Sequence, residues 1–230
     1  STFKNFPIDD IPTQVIALDI DEKDIDSRTD FSDLENLEEL RLNNAKELSA
    51  NQFNSFPLKT IKKLFIEKGN LLGFNFSALK YLTELELKDV NDLSVDIFNS
   101  IPKNFLKKLT IEYTDCNKKN QADFDFLQLE GIEDLEIIQS ETLTTSQFDS
   151  LPKTCLKRLK LKGDVRHLNF STLIDLEELT VDCYRMDVGQ VNSLPKQRLK
   201  KLCLDGNVRI SQVDFSDFNA LEEIRVFSNE

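Results

Sequence analysis

The side chains able to do covalent or metal chemistry are few in this chain, and they are scattered. His167 is the single histidine. A histidine-based triad or a multi-histidine metal site is thereby excluded, and His167 reads as a solvated loop residue. Cys116, Cys155, Cys183 and Cys203 contain no Cys-x-x-Cys pair. They read as free thiols of a reducing compartment, not as a zinc or disulfide framework. Asp and Glu are abundant but lack the spacing of a calcium loop. No catalytic, metal or cofactor site is expected. Two acceptor sequences, Asn75-Phe-Ser77 and Asn169-Phe-Ser171, are the one signature of a secreted surface protein. Lys157, Arg158, Lys160, Lys162 and Arg166 form a basic cluster, but Asp134, Glu136, Glu178 and Asp182 stand at matching places nearby. With 29 Lys and Arg against 41 Asp and Glu, the net charge is −12. That is the reverse of a phosphate-binding footprint, so nucleic acid is excluded and a basic protein partner suits the chain better.

What positions these side chains is a repeat. The pattern apolar-x-x-apolar-x-apolar occurs ten times, starting at Val15, Leu37, Ile61, Leu82, Leu106, Ile132, Leu156, Leu176, Leu199 and Leu221. Within each copy the apolar residues alternate at period two, which is a strand pattern with one face buried. Copies at a constant interval of about 20–29 residues make stacked supersecondary units, and these have a broad open face and no enclosed pocket.

In register and motif the chain resembles the leucine-rich repeat family from about Ile8 to Phe227. The resemblance implies an α/β solenoid: a right-handed superhelix with a curved parallel sheet on its concave face and short helices or turns on its convex face. Residues 1–230 would form a single domain of ten repeats. A chain that starts at Ser1 and stays in register to its end implies a segment of a longer array. One feature departs from the family. Three residues past the last strand residue the family places Asn or Cys. Here those positions hold Lys23, Ala45, Gly69, Val90, Thr114, Ser140, Asp164, Tyr184, Asn207 and Asn229. The turns must therefore satisfy their backbone groups by another route.

A longer period of about 45 residues overlies the first. Phe31, Phe76, Phe126, Phe170 and Phe215 precede alternate copies, usually as Phe-Ser-x-Leu. The remaining copies follow Phe53, Phe98, Phe148 and Val191, in the form Phe-Asn-Ser-Phe-Pro57 or close to it. In this second type Ser49 and Ser94 stand where a helix N-cap would, and Pro57, Pro102, Pro152 and Pro195 follow as stops. Short helices are expected there, and a single turn or less in the Phe-Ser type. The phenylalanines should form two buried stacks, one per repeat type. No apolar run reaches the roughly 18 residues of a membrane span, and no leader opens the chain.

On the polar side of the strands one column reads Glu39, Lys63, Glu84, Lys108, Asp134, Arg158, Glu178, Lys201 and Glu223, alternating in sign throughout. Strands about 4.8 Å apart place each charge between two opposite ones, a self-compensated ladder. The next outward columns hold Arg41, Phe65, Glu86, Glu136, Ile138, Lys160, Arg225 and Phe227. Phe65, Ile138 and Phe227 are apolar where the pattern asks for polar, and exposed aromatics with Arg are the usual interface anchors. These eight are the candidate partner-binding residues of a non-catalytic protein-recognition scaffold. An extracellular module reading glycan or host protein is the alternative. A GTPase-activating function would need a loop-borne Arg or Asn that these short, even repeats do not accommodate.

Overall fold

Alternation at period two turns every apolar-x-x-apolar-x-apolar copy into a strand over its second half. The computed structural model describes residues 11–21, 23, 31–112, 124–138, 143–208 and 212–227. The partial repeat before Ile11, Cys116, and the turn positions Thr114, Ser140 and Asn229 lie outside the described residues. The strands are β1 (Ala17–Asp21), β2 (Glu39–Asn43), β3 (Lys63–Glu67), β4 (Glu84–Lys88) and β5 (Lys108–Glu112), then β6 (Asp134–Ile138), β7 (Arg158–Lys162), β8 (Glu178–Met186), β9 (Lys201–Val208) and β10 (Glu223–Phe227).

The chain divides into two compact units, the first carrying β1–β5 and the second β6–β10. In the first, each strand pairs in parallel with the next, so that Leu40, Leu64, Leu85 and Leu109 lie side by side. In the second, the same holds for Leu135, Leu159, Leu179, Leu202 and Ile224. Every described pairing is parallel, as the one-direction repeat requires. Among the described residues no helix is long and apolar enough to cross a membrane.

Among the described residues α-helices occur only where the second repeat type was expected to supply them: α1 (Ala50–Ser55), α2 (Val95–Ser100), α3 (Thr145–Asp149) and α4 (Val188–Asn192). Five or six residues are too few to hold a helix in isolation, so caps and packing must do it. Ser49, Ser94, Thr144 and Asp187 are the N-caps. Gln52, Gln147 and Gln190 close reciprocal capping boxes, a feature of three of these repeats. In the Phe-Ser type, Phe170–Thr172 makes one 3-10 turn. Phe53, Phe98, Phe148 and Val191, one on each helix, enter the core essentially without solvent contact, and α2 adds Ile97.

The aromatic core differs from two separate stacks. Phe53 meets Phe76 edge-on at 5.6 Å, and Phe148 meets Phe170 edge-on at 5.2 Å, so the two repeat types interlock. The stacked partners are rings at other positions: Phe56 on Phe31 at 3.8 Å, Phe74 on Phe53 at 4.5 Å, and Phe124 on Phe98 at 4.6 Å. Edge-on contact between types fills the core better than one column of parallel rings, because ring edges are drawn to ring faces. Phe31, Phe76, Phe126 and Phe170 are buried as expected, but Phe215 is only half-buried.

Backbone groups that an Asn ladder would serve are satisfied differently. The serine of the Phe-Asn-Ser-apolar-Pro motif reaches one repeat back. Phe31 donates to Ser55 Oγ at 3.4 Å, Phe76 to Ser100 Oγ at 3.0 Å and Phe126 to Ser150 Oγ at 3.0 Å. Each hydroxyl in turn donates to its own helix, as Ser100 Oγ does to Ile97 O at 2.7 Å. Past the strands, Asn44, Lys68 and Asp89 adopt left-handed conformations. The amides of Lys68, Asp89 and Gly163 bond carbonyls of the following strand, those of Lys88, Glu112 and Asp182. Ala45 and Val90 fill with buried apolar atoms the places where the family's amide would sit. Ser100→Ala should therefore orphan the Phe76 amide and cost about 1–3 kcal/mol. A urea-unfolding midpoint equal to that of the parent would contradict the serine ladder.

The outward face of the strands as a candidate recognition surface

Side chains between the buried strand residues point away from the core, and in both units they are mostly ion-paired. Across β3–β4 Lys63 binds Glu84 at 2.9 Å, across β6–β7 Arg158 binds Asp134 at 3.0 Å, and across β8–β9 Lys201 binds Glu178 at 3.2 Å. The alternating column is thus a real ladder, with two departures. Lys108 leaves Glu84 for Glu86 at 2.5 Å, and Arg41 holds Glu39 of its own strand at 3.1 Å. A second ladder runs beside it, one residue earlier in each copy. Lys62 binds Glu38 at 2.6 Å, Lys157 binds Glu133 at 2.7 Å and Lys200 binds Glu177 at 2.6 Å. Apart from Arg41, the acid stands on a Phe-Ser-type strand and the cation on a helix-type strand, which is the following one except for Lys63, whose partner Glu84 lies one strand on. Exposed pairs of this kind add little stability singly, so the rows act chiefly to fix which repeat follows which. The basic cluster of the second unit is neutralised by the same pairing, with Lys160 on Glu136, Lys162 on Asp182 and Arg166 on Asp164. Arg166 bonds the Asp164 carboxyl through its side chain and amide and draws it down to about 2.

Of the eight candidates, register brings Arg41, Phe65 and Glu86 side by side on β2, β3 and β4 of the first unit. Glu136 and Lys160 are neighbours on β6 and β7, with half-buried Ile138 at the end of β6. Arg225 and Phe227 lie on β10 and are exposed, Arg225 turned back onto Glu223. The first unit and the second therefore present separate groups.

Phe65 has more support than its repeat seemed to give it. The Arg41 guanidinium lies 5.2 Å from the ring centroid and the Lys88 ammonium 5.4 Å, so the half-buried ring is held between two cations. Lys88 is the diagonal neighbour, one strand on and two residues along. Its ammonium also binds Glu86 at 3.2 Å. Burial pushes the Glu86 carboxyl up, but hydrogen bonds and charge from Lys108 and Lys88 together outweigh it, and Glu86 titrates below the ordinary glutamate value. A depressed pKa adds stability above the unfolded-state value and loses it as pH falls through the folded one. Glu86→Gln should thus lower the urea midpoint at pH 7, and the gap to the parent should close below about pH 4.5. A gap that stays constant with pH would show that the two lysines do not hold this carboxylate.

The surroundings of single residues add to this. Thr110, in the same outward column, is 1 % exposed, and its hydroxyl has no hydrogen-bond partner among the described residues, so the face is not open at β5. His167 is on the surface as expected but is anchored, its Nε2 lying 2.6 Å from Leu143 O of the preceding repeat. The acceptor sequences also carry a structural role. Asn75 and Asn169 accept the amide of the residue two further on, at 2.9 and 3.1 Å, and Asp125 and Asp214 make the same turn in their repeats. Cys155, Cys183 and Cys203 are free thiols. Burial pushes Cys183 up to about 11, which keeps it protonated and a poor nucleophile at neutral pH. Among the described residues no cluster of three metal-ligating side chains forms. One exposed aromatic pair fell outside the columns: Tyr81 and Phe105, 6.0 Å apart, just before β4 and β5.

No family model and no curated protein matches this chain.

Proposed function

We propose that the chain is a non-catalytic protein-recognition scaffold, a leucine-rich repeat solenoid that takes a protein segment along the outward, concave face of its strands. The observation that carries this reading is the Phe65 ring fixed between Arg41 and Lys88. A ring already immobilised loses little conformational freedom when a partner covers it, and aromatic and Arg side chains dominate interface energies. The charges around it are satisfied pairwise, so an apolar partner side chain landing on Phe65 strands no isolated ion. Net charge of −12 draws a basic protein toward the chain at long range, while Phe65 supplies the local anchor.

The test is to capture a partner with the chain as bait and then compare affinities. Phe65→Ala or Arg41→Ala should weaken binding by about 1–3 kcal/mol. The folded state should lose no more than about 1 kcal/mol, the size of the cation–π contacts. If both variants bind that partner as tightly as the parent, the recognition surface is elsewhere, with Tyr81 and Phe105 the next surface to examine.

A further inference from the structure

We propose that the edge of the first unit where the chain enters β4 and β5 docks a short acidic protein segment through an aromatic residue, with Tyr81 and Phe105 as its seat. This goes beyond the reading of the outward face, since both residues precede their strands and lie outside the strand alternation. Tyr81 is 57 % exposed and Phe105 52 %, and their ring centroids lie 6.0 Å apart. The two rings thus offer adjoining apolar surface to water.

The repeat does not require an aromatic pair there. The same two places in the preceding pair of repeats hold Asn36, which donates to Thr13 O at 3.1 Å, and Thr60, which donates to Leu37 O at 2.7 Å. In the second unit they hold Gly131 with Cys155, and Asp175 ion-paired to Arg198 at 3.0 Å. Small or self-satisfied polar residues therefore serve the fold at this place, and adjoining exposed rings are the mark of a contact surface.

Charge says what covers the rings. The strand lysines of this unit hold acids, Lys62 on Glu38, Lys63 on Glu84, and Lys88 and Lys108 on Glu86. Lys80, next to Tyr81, and Lys59, next to Thr60 one strand spacing away, are exposed and make no ion pair among the described residues. In the row that contains them Glu35 precedes Lys59 and uncharged Asn104 follows Lys80. At physiological salt charges beyond about 8 Å are screened, so these two lysines and not the net charge of −12 set the local preference. Carboxylates suit the lysines and an aromatic side chain suits the rings. A long polyanion such as single-stranded nucleic acid suits the site less, because two cations do not offset its repulsion by an acidic chain.

The probe is a blocked synthetic peptide, Asp-Asp-Trp-Asp-Asp, whose Trp reports alone because the chain contains none. Titration with the full chain should move the Trp emission to the blue and saturate. The uncharged counterpart Asn-Asn-Trp-Asn-Asn should bind more weakly by on the order of tenfold. Tyr81→Asn with Phe105→Thr, the residue types of Asn36 and Thr60, should abolish the saturable shift. Lys59→Gln with Lys80→Gln should bring the acidic peptide down to the affinity of the uncharged one. Because the comparison of peptides leaves the protein unaltered, misfolding cannot imitate it. Equal affinities for the two peptides, no saturable shift with the acidic one, or binding that survives Tyr81→Asn with Phe105→Thr would each overturn the proposal. Displacement of the acidic peptide by a single-stranded oligothymidylate would overturn it as well, by marking the edge as a nucleic-acid site.

Discussion

Phe53→Ala should lower the free energy of unfolding by about 3–5 kcal/mol, the range for emptying a fully buried aromatic site. The ring has no solvent contact, stacks on Phe74 and meets Phe76 edge-on. These are two rings on the next repeat, so the cavity would open between repeats and not within one. Short helices cannot collapse into it without giving up the Ser49–Gln52 capping box. Chemical denaturation followed by circular dichroism measures the loss. A change under about 1 kcal/mol would mean that neighbouring rings refill the site and that the interlocked core is looser than its contacts indicate.

A comparable loss should follow Gly206→Ala, for a backbone reason. Gly206 sits at φ 128°, a conformation that L residues rarely adopt, and a Cβ there would lie 1.7 Å from the Cys183 carbonyl oxygen. The close approach comes from the irregularity between Asp182 and Arg185, where β8 and β9 run on past the five residues of the other strands and change register. Backbone strain plus forced separation of the two strands should cost about 2–4 kcal/mol. Hydrogen exchange should quicken first in β8 and β9. Unchanged stability and exchange would show that these strands do not make that contact.

Elements whose reason is local were legible in the residues. A strand buried on one face must alternate, so Leu40 and Leu42 or Leu85 and Leu87 mark their strands without help. Ser94 before Val95-Asp-Ile-Phe and Pro102 after it bound a helix by capping and by the missing amide. Sign alternation from Glu39 to Glu223 forecast ion pairs because adjacent strands must share one register. What was missed depends on contacts one repeat away. The serine before each apolar-Pro is plain in the sequence, yet for Ser55, Ser100 and Ser150 the partner is an amide 24 residues earlier. The row Glu38, Lys62, Glu133, Lys157, Glu177 and Lys200 alternates too, but Thr83 interrupts it and hides the pattern. Phe56, Phe74 and Phe124 lie off the two aligned positions, and although Phe74 and Phe124 each stand two residues before an aligned phenylalanine, their stacking on Phe53 and Phe98 is a contact across repeats.

The candidate surface shows the same division. Phe65 stood out as an apolar residue in a charged column, and register placed Arg41 beside it. Lys88 approaches on the diagonal, a relation that only side-chain direction determines. The exposure of Tyr81 and Phe105 follows from their place just before a strand, outside the alternation that marks inward and outward residues.

The central claim is that partner recognition occurs on the outward face of the strands, anchored at Phe65. Hydroxyl-radical footprinting of the chain alone and in its captured complex tests this most directly, since half-exposed Phe65 and exposed Tyr81 and Phe105 are oxidisable reporters on different surfaces. Binding should suppress oxidation of Phe65 while Tyr81 and Phe105 react as in the free chain. Undiminished oxidation of Phe65 together with protection of Tyr81 and Phe105 would contradict it.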